Sequence, residues 1–554
     1  MFLFFTLLVL HSALGAIATT HRYDWELSWV TAAPDGFSRP VIGVNGEFPS
    51  PTITVMKGDR LIIKVHNELG NQSTAVHWHG IHQRGSPEMD GAAGVTQCPI
   101  PTGASFTYDF TLEQGGTFWY HSHYGGQYPD GLRGALIVKD PDAPWAGRVD
   151  EEITMTLSDW YHPRMPPLLN EYLSPERYQA NDGHEHFPSS ALINDRQGDR
   201  IQVRPNKTYL FRIINIANFL SFTILFDQHP FTVVEIDGIY MEDFHARERL
   251  SRLAVGQRIS VLVRTKPVAS YNFEILSFSD VSLVSPTEGL SWNSTAYLTY
   301  DGSRPTPTGL SIADLRYYDE LELVPLSREA PFKPNKQIVL QTSMEGINSV
   351  IRGTVDGKTY LPPKVPSLYT ALSFDSDVTR NPRIYGHTNP IVIRLGDVVQ
   401  MVINNNHDHP HPWHLHGHTF QVLERPLDSN TGPFSGTLGP ISATPIQRDT
   451  VVILPESYVV IRFKADNPGV WLLHCHIEWH IEGGMTATIV EAPDELPDIA
   501  QLHPSHINAC KQYPMDYIGN AAGKVDNPLN LTGVHECVVQ GSDGSVSYRC
   551  SLTY

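Results

Sequence analysis

Basic charge is scarce in this chain, cysteine is scarcer still, and no long amphipathic helical pattern runs through it. Forty lysines and arginines stand against fifty-nine aspartates and glutamates, a net charge of −19 over 554 residues. That balance argues against a nucleic-acid backbone or an anionic membrane surface as partner. Charged residues make up 18% and hydrophobic ones 41%, with 42 glycines and 42 prolines. Such a composition belongs to a folded, turn-rich protein rather than a disordered or fibrous one. Without helical periodicity, many short strands and an all-β fold are expected.

Long apolar runs are missing after the first residues. The start has one, Phe2 to Leu10, followed by small residues at Ala13, Gly15, Ala16 and Ala18. Residues 1–18 read as a signal peptide cut near Gly15 or Ala18. No Lys or Arg precedes the run, which leaves a short membrane anchor as the alternative. Export to the extracellular space or cell surface agrees with N-x-S/T sequons at Asn71, Asn206, Asn293 and Asn530. Of five cysteines, Cys475 sits between two histidines, and Cys98, Cys510, Cys537 and Cys550 remain. An even remainder suits two disulfides in an exported chain. Spacing favours Cys537 with Cys550 and Cys98 with Cys510, among three possible pairings.

A chain this long exceeds one hydrophobic core. β-Branched segments between Gly and Pro punctuation, such as Thr52 to Val55 and Arg60 to Val65, read as strands. Loop-like stretches at Asp140 to Trp145 and Asp301 to Pro307 interrupt them. The expected organisation is three β-sandwich domains, at 19–142, 143–305 and 306–500, with a polar tail at 501–554 that wraps the surface.

Twenty-six histidines are present, and their arrangement matters more than their number. Four H-x-H pairs stand out: His77 with His79, His121 with His123, His414 with His416, and His474 with His476. Residues two apart on a strand share a face, so each pair presents two imidazoles side by side. The same alternation turns Cys475, in H-C-H, to the opposite face. Imidazole suits several transition metals, whereas a thiolate narrows the choice towards a soft or redox metal. His411, Cys475 and His480, with Met485 ten places after the cysteine, supply two imidazoles, a thiolate and a weak axial thioether. That is the ligand set of a blue-copper electron-transfer centre. Two further histidine clusters, His184-Glu185-His186 and His407-Asp408-His409, read as structural or rim residues.

These motifs resemble those of the ascomycete multicopper oxidases. The likeness runs from about residue 22 to about 495 and is densest in HWHGIHQRGSPEMDG, TQCPI, YHSHYGGQYPDG, HPWHLHGHTFQ and FKADNPGVWLLHCHIEWH. It implies three cupredoxin-like Greek-key domains and four copper ions, with the cluster between the first and last domains. By the same resemblance, His77 and His414 are type 2 ligands. His79, His121, His123, His416, His474 and His476 belong to the type 3 pair, and His411, Cys475, His480 and Met485 to type 1. Asp90 and Glu478 match the family's proton-relay acids, which dioxygen reduction needs close by.

The nearest wording is that of iron-uptake ferroxidases and the laccase-like enzymes grouped with them. Ferroxidases place carboxylates beside the type 1 site; their positions align here with Gln202, Val284 and His407, none acidic, with Asp408 one place away. The carboxylate that many laccases use to take a phenolic proton aligns with Asn218. An axial Met485 lowers the type 1 potential and favours electron-rich donors. The expectation is therefore a secreted laccase-type oxidase of phenolic or naphthol-type small molecules, coupling them in pigment or secondary metabolism with dioxygen as acceptor. A monomer or weak oligomer without a membrane span is expected. The alternative is a ferroxidase oxidising Fe(II) for iron uptake. A copper-binding wall protein without activity is disfavoured by the intact ligand set.

Overall fold

The computed structural model describes residues 18–246, 252–279, 292–306, 318–540 and 546–550, with side chains given as far as residue 536. The expected signal segment and the aligned position Val284 lie outside or at the edge of these residues.

Period-two patterning builds the first sandwich. In Arg60–Asn67, Leu61, Ile63 and Val65 are buried while Arg60 and Lys64 face solvent, the alternation of a strand covered on one side. It joins Thr20–Ala32, Arg39–Val44 and Ser105–Thr111 in one four-stranded sheet. The facing sheet holds β1 (Val76–His79), β2 (Gly116–Ser122), Ile53–Met56 and Arg133–Lys139. Every residue of β2 is buried, because the second sandwich covers its outer side: Glu235 accepts from the Thr117 backbone N–H at 2.6 Å.

The second sandwich pairs a six-stranded with a four-stranded sheet, and the third a six-stranded with a five-stranded one. That five-stranded sheet carries β3 (His411–Leu415), β4 (Thr450–Ile453) and β5 (Gly469–Cys475). Short helix α1 (Glu478–Glu482) follows β5 directly. The architecture is the all-β, three-sandwich arrangement expected from the sequence.

The tail does more than wrap the surface. Helix α2 (Pro504–Gln512) buries His506, Ala509 and Cys510, and Ala509 and Cys510 belong to the same apolar core as Cys98, Phe106 and Leu472. Cys510 is bonded to Cys98 across 412 residues, the long-range pairing expected. In the last two-stranded sheet the backbone register sets Cys537 opposite Cys550. All four sequon asparagines are exposed. Among the described residues no helix is long and apolar enough to cross a membrane.

Candidate metal centre

Strand pairing converts the H-x-H spacing into a site. β1 and β2 run antiparallel with His77 opposite His121. β3 and β5 run antiparallel with His414 opposite His474 and Trp413 opposite Cys475. One face of β5 thus offers His474 to the first domain, and the other turns Cys475 into the third sandwich. The eight paired histidines converge between the first and third sandwiches: His77 stacks on His416 at 3.9 Å between ring centroids and His79 on His414 at 3.8 Å. His123 lies 5.3 Å from His474.

The hydrogen bonding of these rings decides what can occupy the middle. Outward nitrogens are committed: His77 Nδ1 to Asp90 O at 2.8 Å, His121 Nδ1 to Ser122 O at 2.9 Å, and His414 Nδ1 to Asp449 O at 2.9 Å. Each bond to an oxygen acceptor fixes the ring's single proton outside, so the inner nitrogen carries a lone pair. The inner Nε2 atoms of His77, His121, His123 and His414 are buried without any protein partner. Burial, reinforced by neighbouring imidazoles, holds His79, His121, His123, His416, His474 and His476 well below the usual histidine range. Neutral rings with inward lone pairs are a donor set for cations, and the residues fit bound copper.

Asp90 supports this cluster twice: its carbonyl receives His77 Nδ1, and its Oδ2 lies 2.9 Å from His416 Nδ1. Gly91 follows with φ +88°, where a Cβ would meet Val76 O at 1.8 Å, so only glycine lets the turn press against β1. Glu478 borders the same cavity as His121, His123, His474, His476 and Glu482. Burial, and then the adjacent Glu482, pushes its carboxyl well above the usual range, which favours its protonated form.

Three supporting residues lie outside the motifs. Asp449 approaches His79 Nε2 at 3.4 Å through Oδ1. Burial would raise the Asp449 pKa, yet the Arg258 guanidinium, donating at 2.7 Å to both carboxylate oxygens, holds it well below the ordinary value. Gly256, beside Arg258 in the second sandwich, closes on the cluster with φ +83°: a Cβ there would lie 2.9 Å from His476 and 3.0 Å from His79. These contacts join distant segments, and no local pattern announces them.

On the far side of β5, Cys475 Sγ lies 3.5 Å from His411 Nδ1 and 3.3 Å from His480 Nδ1, which are 3.0 Å from each other. Cys475 is fully buried, and burial pushes its thiol far up; a thiolate at this place needs a cation beside it. Met485 is tied in by its backbone, accepting from Cys475 N at 3.1 Å and donating to His480 O at 2.9 Å.

Glu185 corrects the rim reading of its cluster. It is 8% exposed, and its Oε1 lies 2.7 Å from His480 Nε2. Burial alone would raise its pKa; the bond to His480 outweighs that and brings it to about 2. A carboxylate therefore does stand beside the sulfur site, supplied from 295 positions upstream of His480. The aligned Gln202 lies on a strand where its side chain donates to Tyr300 O. Asn218 is fully buried and donates its backbone N–H to Asp159. His184 is exposed, and His186 lies 3.6 Å from Glu171. His407 Nδ1 lies 3.2 Å from His411 Nε2.

Multicopper oxidase family profiles match residues 26–143, 151–303 and 360–495. The iron transport multicopper oxidase FET3 of Gibberella zeae is 44% identical over 535 residues, covering 94% of this chain and 83% of that one. Its counterpart fetC of Epichloe festucae is 43% identical over 531 residues, with 94% and 84% covered. Among solved structures, that of Fet3p, a multicopper oxidase that functions in iron import, superposes with a TM-score of 0.89 at 37% identity, covering 92% of this chain and 98% of that one. The Botrytis aclada laccase reaches a TM-score of 0.78 at 27% identity, covering 90% and 93%. With relatives this similar over nearly its whole length, the chain belongs to the multicopper oxidase family, oxygen-dependent enzymes that bind copper as type 1, type 2 and type 3 centres.

Proposed function

We propose that this enzyme oxidises iron(II) to iron(III), passing the electrons to dioxygen. The observation that carries the reading is the 2.7 Å contact between Glu185 Oε1 and His480 Nε2. A hard carboxylate favours iron(III) over iron(II) and so lowers the potential of the ion it holds. This one touches a histidine of the sulfur site directly, which gives the departing electron a short way in. The relatives named for iron transport, at 44% and 43% identity, point the same way. They correct the phenolic, laccase-type expectation.

In this reading His411, Cys475, His480 and Met485 would hold type 1 copper, and His77 and His414 would hold type 2. His79, His121, His123, His416, His474 and His476 would hold the type 3 pair. Bound copper supplies one-electron storage and the binding of dioxygen. The chain supplies the rest. Its backbone joins the Cys475 sulfur to the flanking imidazoles of His474 and His476. Glu478, whose buried setting favours its protonated form, and Asp90, bonded to His416, are the groups that deliver protons as dioxygen becomes water. The signal-like start, the exposed sequons and the Cys98–Cys510 disulfide support an enzyme working outside the cytosol.

Steady-state oxidation of iron(II) by wild type and Glu185→Ala tests the proposal. The variant is expected to keep its blue absorption band and lose at least about tenfold in kcat/KM for iron(II). Its oxidation of a donor that does not bind carboxylates, such as ferrocyanide, should change far less. Iron(II) oxidation unaltered by the substitution would remove the basis of the assignment.

A further inference from the structure

The His407-Asp408-His409 segment has no part in the reactions above, yet its side chains face one another. Asp408 Oδ1 lies 3.3 Å from His407 Nε2 and 3.1 Å from His409 Nδ1. An ion with ligand bonds of about 2.0–2.1 Å sets neighbouring donors roughly 3.0–3.4 Å apart. The observed separations fall within that span.

The segment is held in place from beneath. Asn405, 1% exposed, accepts from the His407 backbone N–H at 3.1 Å and donates to His409 O and Leu454 O at 2.8 and 2.9 Å. The Glu456 N–H closes on His407 O at 2.9 Å. Three donors on a pinned turn lose little freedom on capturing an ion, unlike scattered surface histidines. Solvent reaches the cluster, the side chains of His407, His409 and Asp408 being 18%, 27% and 77% exposed, while the His409 Nδ1 atom is buried without a hydrogen-bond partner.

Proton placement also suits an ion. His411 directs Nδ1 at Cys475 and Nε2 at His407 Nδ1. With His411 as donor, His407 Nδ1 accepts and the proton of His407 sits on Nε2, facing Asp408. A metal ion replaces that proton without disturbing the bond to His411. His409 borders the same cavity as Glu185 and His480.

We propose that His407, Asp408 and His409 form a binding site for a borderline divalent transition-metal ion at the mouth of the type 1 region, and that a redox-silent ion bound there obstructs oxidation of the substrate metal. Two imidazoles and one carboxylate select zinc(II)-like ions over calcium or magnesium. The binding half does not depend on which substrate the enzyme oxidises.

Zinc(II) as its chloride is the probe, used on the copper-loaded, full-length enzyme. Equilibrium dialysis followed by metal analysis should find one zinc per chain beyond the copper complement at micromolar free zinc. Affinity should fall at least about tenfold in the double variant Asp408→Ala, His409→Ala, while copper content and the blue band stay at wild-type level. Zinc should raise the apparent KM for iron(II) in wild type and not in the double variant. Equal zinc binding by the two proteins overturns the site. Zinc binding without any effect on iron(II) oxidation overturns the obstruction. Iron(II) oxidation absent from zinc-free wild type counts against the proposed substrate and leaves the dialysis result standing by itself.

Discussion

The Nε2 atoms of His416 and His474 face each other at 3.1 Å, while the Nδ1 of each ring is committed elsewhere, to Asp90 Oδ2 and to Cys475 O at 2.9 Å. With both protons outside, two lone pairs are opposed in a buried space. Only a cation, or an added proton, makes that arrangement favourable.

Removal of copper should therefore loosen the junction of the first and third sandwiches, since a metal that binds only the folded state stabilises it by mass action. Calorimetry on copper-loaded and copper-stripped enzyme is expected to show a lower Tm for the stripped form. The two forms should converge below the pH at which the opposed imidazoles accept protons. Identical melting at neutral pH would mean the rings relieve the opposition unaided.

Asp449→Ala removes the nearer of two carboxylates beside a fully buried guanidinium and leaves Asp237 at 3.5 Å. Breaking a buried pair from one side costs about 3–5 kcal/mol, because the remaining charge is left unpaired. Arg258 is 0% exposed and bonded to both oxygens of Asp449, but Asp237 stays beside it, so urea unfolding should register a loss near the lower end of that range. The double variant Arg258→Met, Asp449→Leu should lose less than the single one.

Gly256→Ala should damage the histidine cluster while leaving the sulfur site intact. The added methyl meets His476 and His79 at 2.9 and 3.0 Å, on backbone with φ +83°, a conformation that L residues adopt only with strain. Copper analysis should show the variant short of its full complement with the blue band retained. Equal loss at both places would indicate general misfolding.

Much of this site was legible in the sequence, and the boundary of legibility is physical. The H-x-H pairs and Cys475 announce themselves because strand alternation is local: two residues apart means the same face, one apart the opposite face. Strand register then brings His77 to His121 and His414 to His474. Glu185, Asp449 and Arg258 could not be read that way. Each reaches its histidine or carboxylate partner across the packing of separate sandwiches, and only assembled geometry reveals the contact. Helix α2 escaped for a related reason: its nine residues are polar in composition, and the few that are buried, His506 among them, matter because of where they dock.

Glu88 gives the fold a pH dependence of its own. It is 4% exposed, and burial pushes its carboxyl up to about 7 from an ordinary 4.5. The folded state thus favours the protonated form more than the unfolded chain does. The associated stability is fully present below about pH 4.5 and fades as pH rises through about 7, a change of about 3 kcal/mol. Denaturant midpoints taken at pH 5 and pH 8 should show wild type losing this increment relative to Glu88→Gln. The His506 ring, whose Nε2 lies 3.0 Å from Glu88 O, ties that loss to the docking of α2.

The bond from Cys98 to Cys510 sets a timetable. At about 5–20 residues per second of synthesis, the 412 positions between them take roughly 20–80 s to emerge. Throughout that interval the first cysteine waits with a free thiol, and half of the histidine cluster waits with it. A chain halted before Cys510 leaves the ribosome unable to close either the crosslink or the docked helix. Synthesis through α2 thus acts as a proofreading step, since the oxygen-reducing centre gains its outer brace only in chains that reach Cys510.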